Sequence, residues 1–211
     1  MVAVTEYPDE DELRIVAALL DAGADPNAVD NSGMTAMDHA IFYQPSFSVV
    51  NMLLDAGFDL HREREISILL LSEALLYDEP AIVRRLIDLG VDPDQSQFGG
   101  GTSLEEQIEW GGGTVENVKL LLEVGADPNR PDKAGHTPLL VAVKKRRSEA
   151  VKLLIEHGAE PDSTDPAGRT AMQLARRYGY WEVVEVLGGR RPAAGLAKLR
   201  TVVGFFVRIF D

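Results

Sequence analysis

The chain has no cysteine. Disulfides, thiolate metal sites and thiol nucleophiles are excluded at once, and the composition is compatible with a reducing compartment. Histidine is nearly as scarce. His39, His61, His136 and His157 fall at different places with no His-x-x-x-His spacing, so no metal site is expected. Basic side chains are rare in the first part of the sequence: residues 1–90 hold 5 basic and 17 acidic side chains, a balance of −12, whereas residues 91–211 hold 16 and 17, a balance of −1. Such an acidic field repels nucleic acid and anionic membrane and speeds encounter with basic partners. Aromatic residues are limited to two tryptophans, five tyrosines and seven phenylalanines, so where they stand is informative. The first residues carry Glu6, Asp9, Glu10, Asp11 and Glu12 where a secretory signal has a basic region and an apolar run, and a cytoplasmic protein is expected.

The remaining composition, 45% hydrophobic and 26% charged over 211 residues, is that of a folded chain long enough for one large domain or a solenoid. A period is visible in it. V-A-A-L-L-D-A-G-A-D-P-N, V-N-M-L-L-D-A-G-F-D, V-R-R-L-I-D-L-G-V-D-P-D, V-K-L-L-L-E-V-G-A-D-P-N and V-K-L-L-I-E-H-G-A-E-P-D place glycine at 23, 57, 90, 125 and 158, spaced 34, 33, 35 and 33. Each run puts Val and paired Leu or Ile at i, i+3 and i+4, the spacing of an amphipathic helix, and the glycine supplies the left-handed residue that ends it. Upstream lie D-N-S-G-M-T-A-M from Asp30, D-K-A-G-H-T-P-L from Asp132 and D-P-A-G-R-T-A-M from Asp165: a glycine turn, then a threonine helix cap. The period therefore encodes two helices and a hairpin.

With Thr137-Pro138-Leu139, Gly23-Ala24-Asp25-Pro26-Asn27 and Gly125-Ala126-Asp127-Pro128-Asn129 in register, the chain resembles the ankyrin repeat over roughly residues 3–188. The resemblance implies an all-α solenoid of about six helix-turn-helix units with β-hairpin turns, spanning residues 1–191. Because one repeat cannot bury its own apolar face, most Leu, Val and Ile are assigned to stacking. The third unit departs from the pattern: His61-Arg62-Glu63-Arg64-Glu65-Ile66 replaces the Asp/Gly/Thr turn, and an irregular hairpin is expected there. The fourth carries Gly-Gly-Gly-Thr twice, at Gly99 and Gly111. Neither copy ends in the Gly-Lys-Ser/Thr of a phosphate-binding loop, and both read as loops.

Paired carboxylates are numerous but sit where a solenoid is solvated, so no catalytic residue, cofactor or enzyme activity is expected. Aligning the units on their capping position places Phe42-Tyr43, Leu76-Tyr77, Glu109-Trp110, Lys144-Lys145 and Arg177-Tyr178 at the ends of the first helices. In the ankyrin family this slot commonly meets the ligand. The resemblance thus implies a concave binding stripe of Phe42, Tyr43, Tyr77, Trp110 and Tyr178, joined by Lys144, Lys145 and Arg177, with hairpin tips His61, Arg62, Phe98, Lys133 and Arg169 adding specificity. Tyrosine and tryptophan suit such a role because they bury large area at little entropic cost and keep a polar end. Lys144-Lys145-Arg146-Arg147 and Arg176-Arg177 make the later units locally basic.

The last segment, 192–211, places Leu196, Leu199, Val203, Phe206 and Phe210 on one helical face. It is too short to span a bilayer and is expected to cap the solenoid. A membrane-surface helix that would make the protein an adaptor is the alternative. The expectation is a monomeric, non-catalytic module that binds a partner protein, an inhibitor or immunity protein of a basic enzyme being its sharpest form. Nucleic acid is not expected as a partner.

Overall fold

The computed structural model describes residues 10–42, 45–61, 64–95, 101–109 and 114–191; Tyr43, Arg62, Phe98, Trp110 and the expected helix in 192–211 lie outside them. The chain divides into two compact units, Met1–Asp127 and Pro128–Asp211. In the first, α1 (Glu10–Asp21) is followed by the pairs α2 (Ala36–Phe42) and α3 (Phe47–Asp55), α4 (Arg64–Leu76) and α5 (Pro80–Asp88), and α6 (Ser103–Glu109) and α7 (Val115–Glu123). The second contains the pairs α8 (Pro138–Lys144) with α9 (Ser148–Glu156) and α10 (Ala171–Tyr178) with α11 (Trp181–Val186). Helices of a pair pack on each other, and like helices of successive pairs also touch: α2 on α4 in the first unit, α8 on α10 and α9 on α11 in the second. Leu53, Leu70, Leu86, Leu104 and Leu121 fill the first core, and Leu139, Leu140, Leu154 and Leu174 the second, all fully buried.

The local chemistry of each period explains its boundaries. Asp30, Asp132 and Asp165 each accept the N–H four residues on through Oδ1, from Met34, His136 and Arg169, and close a tight turn at the following glycine. The hairpins are short: Val29 pairs with Thr35 and Thr164 with Thr170 as single bridges, and no longer strand occurs among the described residues. Threonine then starts the first helix. Thr170 and Gln173 form a reciprocal capping box; Asp38 and Glu105 reach back in the same way to the N–H groups of Thr35 and Thr102. Thr137 is followed by Pro138 and has no such partner; its hydroxyl meets that of Ser163 at 3.3 Å. The pair of α4 and α5 lacks the turn and the threonine, and α4 runs to 13 residues where α2, α6 and α8 have 7. Arg64-Glu65-Ile66, read from sequence as part of an irregular hairpin, is helical backbone.

The second helices end alike. Gly125 has φ of +99°, its N–H bonds to the Leu122 carbonyl and the Ala126 N–H reaches back to Leu121, satisfying two carbonyls that the helix end leaves open. The asparagine that closes each Gly-Ala-Asp-Pro-Asn then bridges to the next repeat. Asn27 accepts from the Asp59 N–H at 2.8 Å and donates to the Gly57 carbonyl; Asn129 does the same with Glu160, at 2.8 Å, and Gly158. Asp94 stands at the equivalent place and accepts the Asp127 N–H. At the second period His61 replaces the asparagine, and its ring lies over Gly90 of the next repeat.

Candidate protein-binding surfaces

In the first unit, Phe42 ends α2 and Leu76 ends α4, so their side chains stand at equivalent edges of adjacent pairs. Both are large apolar groups left outside the core, 68% and 73% exposed. Tyr77 follows Leu76 and is half-exposed; its ring packs edge-to-face with that of Phe47, centroids 6.1 Å apart and planes at 62°. Leu76 is the most exposed large apolar side chain of the described residues.

The matching edge of the second unit is different in kind. Lys144 ends α8, and Lys145, Arg146 and Arg147 form the loop to α9; Arg177 and Tyr178 end α10, and Gly179 and Tyr180 lead to α11. Tyr178 and Tyr180 face each other at 5.5 Å between centroids with 33° between their planes, and the Arg146 guanidinium lies 5.7 Å from the Tyr180 centroid. That separation is within cation–π range. Arg146 and Tyr180 lie outside the set of binding residues expected from sequence. The charge run was the only sequence signal for Arg146, and Tyr180 lies two residues beyond the aligned slot.

The two hairpin residues of this unit separate. Lys133 is exposed at its tip. Arg169 gives its guanidinium to the buried Asp165, Nε at 2.9 Å and Nη2 at 2.7 Å, while the Arg169 and Ala167 N–H groups bond to the other oxygen. These donors, the Arg169 side chain first, hold the Asp165 carboxyl at about 2. Asp30 is also held below the usual carboxylate range, first by the His39 ring and then by the Met34 and Ser32 N–H groups. A carboxylate whose pKa is lower folded than unfolded contributes stability that is complete above its ordinary value of 3.8 and is lost as pH falls through the folded value. The Asp165→Asn variant is therefore expected to lose less melting temperature than wild type between pH 4 and 2, which a Tm series across that range checks. Asp30 leaves a residual slope in both.

A cleft of about 350 Å³ in the first unit is lined by Leu60, His61, Ser67, Gly90, Val91, Asp92 and Gln95. Among the described residues no three His, Asp or Glu side chains come together as metal ligands, and no helix is long and apolar enough to cross a membrane.

Stacked helix pairs with capped starts, glycine stops and side chains displayed at the helix ends define a repeat protein that presents surface. Comparison with known proteins places it. A family model described as ankyrin repeats in three copies matches residues 106–192, and one described as ankyrin repeats in many copies matches residues 4–61. The ankyrin repeat protein YahD of Escherichia coli (strain K12) is 30% identical over 171 residues, covering 64% of this chain and 83% of that protein. An ankyrin repeat-containing protein of Treponema pallidum (strain Nichols) is 34% identical over 130 residues, 61% of this chain and 41% of its own length. Among solved structures, an ankyrin repeat domain from Acinetobacter baumannii AYE superposes with a TM-score of 0.67 at 28% identity, covering 85% of this chain and 94% of that domain. The chain belongs to the ankyrin-repeat family and has its all-α solenoid fold. Ankyrin repeats generally mediate protein–protein interaction, and proteins built from them are typically non-catalytic.

Proposed function

We propose that this protein is a non-catalytic, cytoplasmic module that grips a partner protein on its helix-end edges. The observation that carries the reading is the exposure of Phe42, Leu76 and Tyr77 at equivalent ends of adjacent pairs. Large apolar side chains left in water at corresponding positions of a repeat are poor for solubility and suited to an interface, where a few such anchors supply most of the affinity. Tyr43 and Trp110 join the reading through their place in the period. Lys144, Lys145, Arg177 and Tyr178 belong to it at the second unit. Lys133 adds specificity at a hairpin tip, and Arg169 does so with whatever part of its side chain Asp165 leaves accessible.

The test is quantitative capture from host lysate by wild type and by the Phe42→Ala/Leu76→Ala/Tyr77→Ala triple variant, with helical content checked by circular dichroism. Anchors of this kind are worth about 1–2 kcal/mol each, so at least a hundredfold loss of a specific partner is expected. An unchanged set of captured proteins, with the fold intact, refutes the reading. The balance of −12 over residues 1–90 supports occlusion of a basic enzyme as the sharper form. In that case the captured partner is basic, and its association rate falls steeply with added salt.

A further inference from the structure

We propose that the edge of the second unit formed by residues 144–147 and 176–180 docks an extended, Asp- and Glu-rich segment of a partner protein. The inference rests on the protein-binding reading above and names the chemistry of one of its surfaces.

Three independent features meet at this edge. The first is charge without internal use. Arg84, Arg85 and Arg169 each bind a carboxylate of the same fold, with Glu123, Asp55 and Asp165. Among the described residues Lys144, Arg146, Arg147, Arg176 and Arg177 make no ion pair, although the whole chain carries a net charge of −13 and carboxylates are abundant. Glu149 and Glu182 are the carboxylates in the first turns of α9 and α11, and Glu182 accepts the Ser148 hydroxyl at 3.0 Å.

The second is backbone strain. Arg146 has φ of +57°; the equivalent residues of other pairs are Asp78, also at +57°, and Gly179 at +71°. The left-handed region costs a long side chain what it does not cost glycine, so the fold alone favours glycine at 146. Retaining arginine there puts a guanidinium over Tyr180.

The third is a pair of helix starts given up to other side chains. Ser46 and Thr114 begin α3 and α7 and accept the N–H groups of Val49 and Asn117. At the same positions Glu79 begins α5, Arg147 begins α9 and Tyr180 begins α11, none with a side-chain cap. Asp78 and Glu79 share the left-handed backbone and the missing cap, so what sets this edge apart is that a guanidinium stands at both positions, one of them over a tyrosine ring.

The chemistry of the surface selects the ligand. Its cations run along the last turns of α8 and α10 and the loop into α9, which matches carboxylates spaced along an extended chain. The tilted Tyr178 and Tyr180 pair offers an aromatic face to an apolar side chain between those carboxylates. Nucleic acid, which also brings spaced anions, falls outside the protein-binding reading on which this inference rests.

The test uses the full chain and fluorescence anisotropy with a short labelled peptide of alternating Glu and Asp around one tyrosine. Wild type is expected to bind it with an affinity that falls with salt. The Arg146→Gly/Arg147→Ser variant removes two charges while relieving the backbone and adding a cap, so its Tm is expected to equal or exceed that of wild type. Its affinity should fall about three- to tenfold, and further when Arg177→Glu is added. Lys152→Ser, on the exposed face of α9, should leave affinity unchanged. Equal binding by wild type and the edge variants overturns the proposal, as does tighter binding of duplex DNA or of a lysine peptide than of the acidic one. The Phe42→Ala/Leu76→Ala/Tyr77→Ala variant should bind the peptide as wild type does. Failure of the protein-binding reading would thus appear in lysate capture, and failure of this inference in the peptide titration.

Discussion

Replacing Leu154 with alanine is expected to lower the unfolding free energy by about 2–5 kcal/mol. Leu154 lies in α9, is fully buried, and sits on a helix that packs against both α8 and α11. The substitution removes buried apolar contacts and leaves a cavity that the packed helices close only in part. Stability of repeat proteins is a sum of unit and nearest-neighbour terms, so the loss falls on the whole second unit. Urea unfolding followed by the fluorescence of Trp181, with Trp110 replaced by phenylalanine, reports on that unit. A change below about 1 kcal/mol would mean that the α9 interface is looser than its burial implies.

The second large effect concerns a polar residue inside the first core. Asn117 occupies the third position of α7, is 4% exposed, and donates to the Leu75 carbonyl at 2.8 Å and to Gln107 Oε1 at 3.2 Å. Leu75 lies in the last turn of α4, where a helix leaves carbonyls without partners of its own. The Asp78 N–H reaches this carbonyl only at 3.4 Å. Asn117 therefore caps the preceding repeat from the side and ties the two pairs together. Asn117→Leu, similar in size but without a donor, leaves that carbonyl only the long Asp78 bond, and a loss of about 1–3 kcal/mol is expected in urea unfolding followed by circular dichroism. A neutral or stabilising result would show that burial alone, and not the bond, is what this position supplies.

Much of the fold was legible because its grammar is local. A threonine followed three residues later by Asp, Glu or Gln starts a helix whatever surrounds it, and a glycine after paired leucines ends one. Val118, Leu121 and Leu122, read from their spacing as an inward face, are buried. The candidate surfaces were legible only in outline. Position in the period pointed to Phe42, Tyr77, Tyr178 and their neighbours, but could not distinguish a ring that is free from one that packs. Tyr77 leans on Phe47 while remaining half-exposed, and Arg169 turns inward to Asp165 although its hairpin tip reads as solvent.

The sequence by itself determined the ankyrin-repeat class, the register of the helices and the uneven charge, since each follows from residues within one period or from simple counting. Tertiary structure decided which side chains are spent on the fold and which are left over. Asn117 reaches Leu75 across 42 residues of chain, Asn129 bridges 31 residues to Glu160, and Arg146 meets Tyr180 only because α8 and α10 stack. Such contacts depend on where neighbouring repeats place their backbones, and no spacing within a single repeat encodes that.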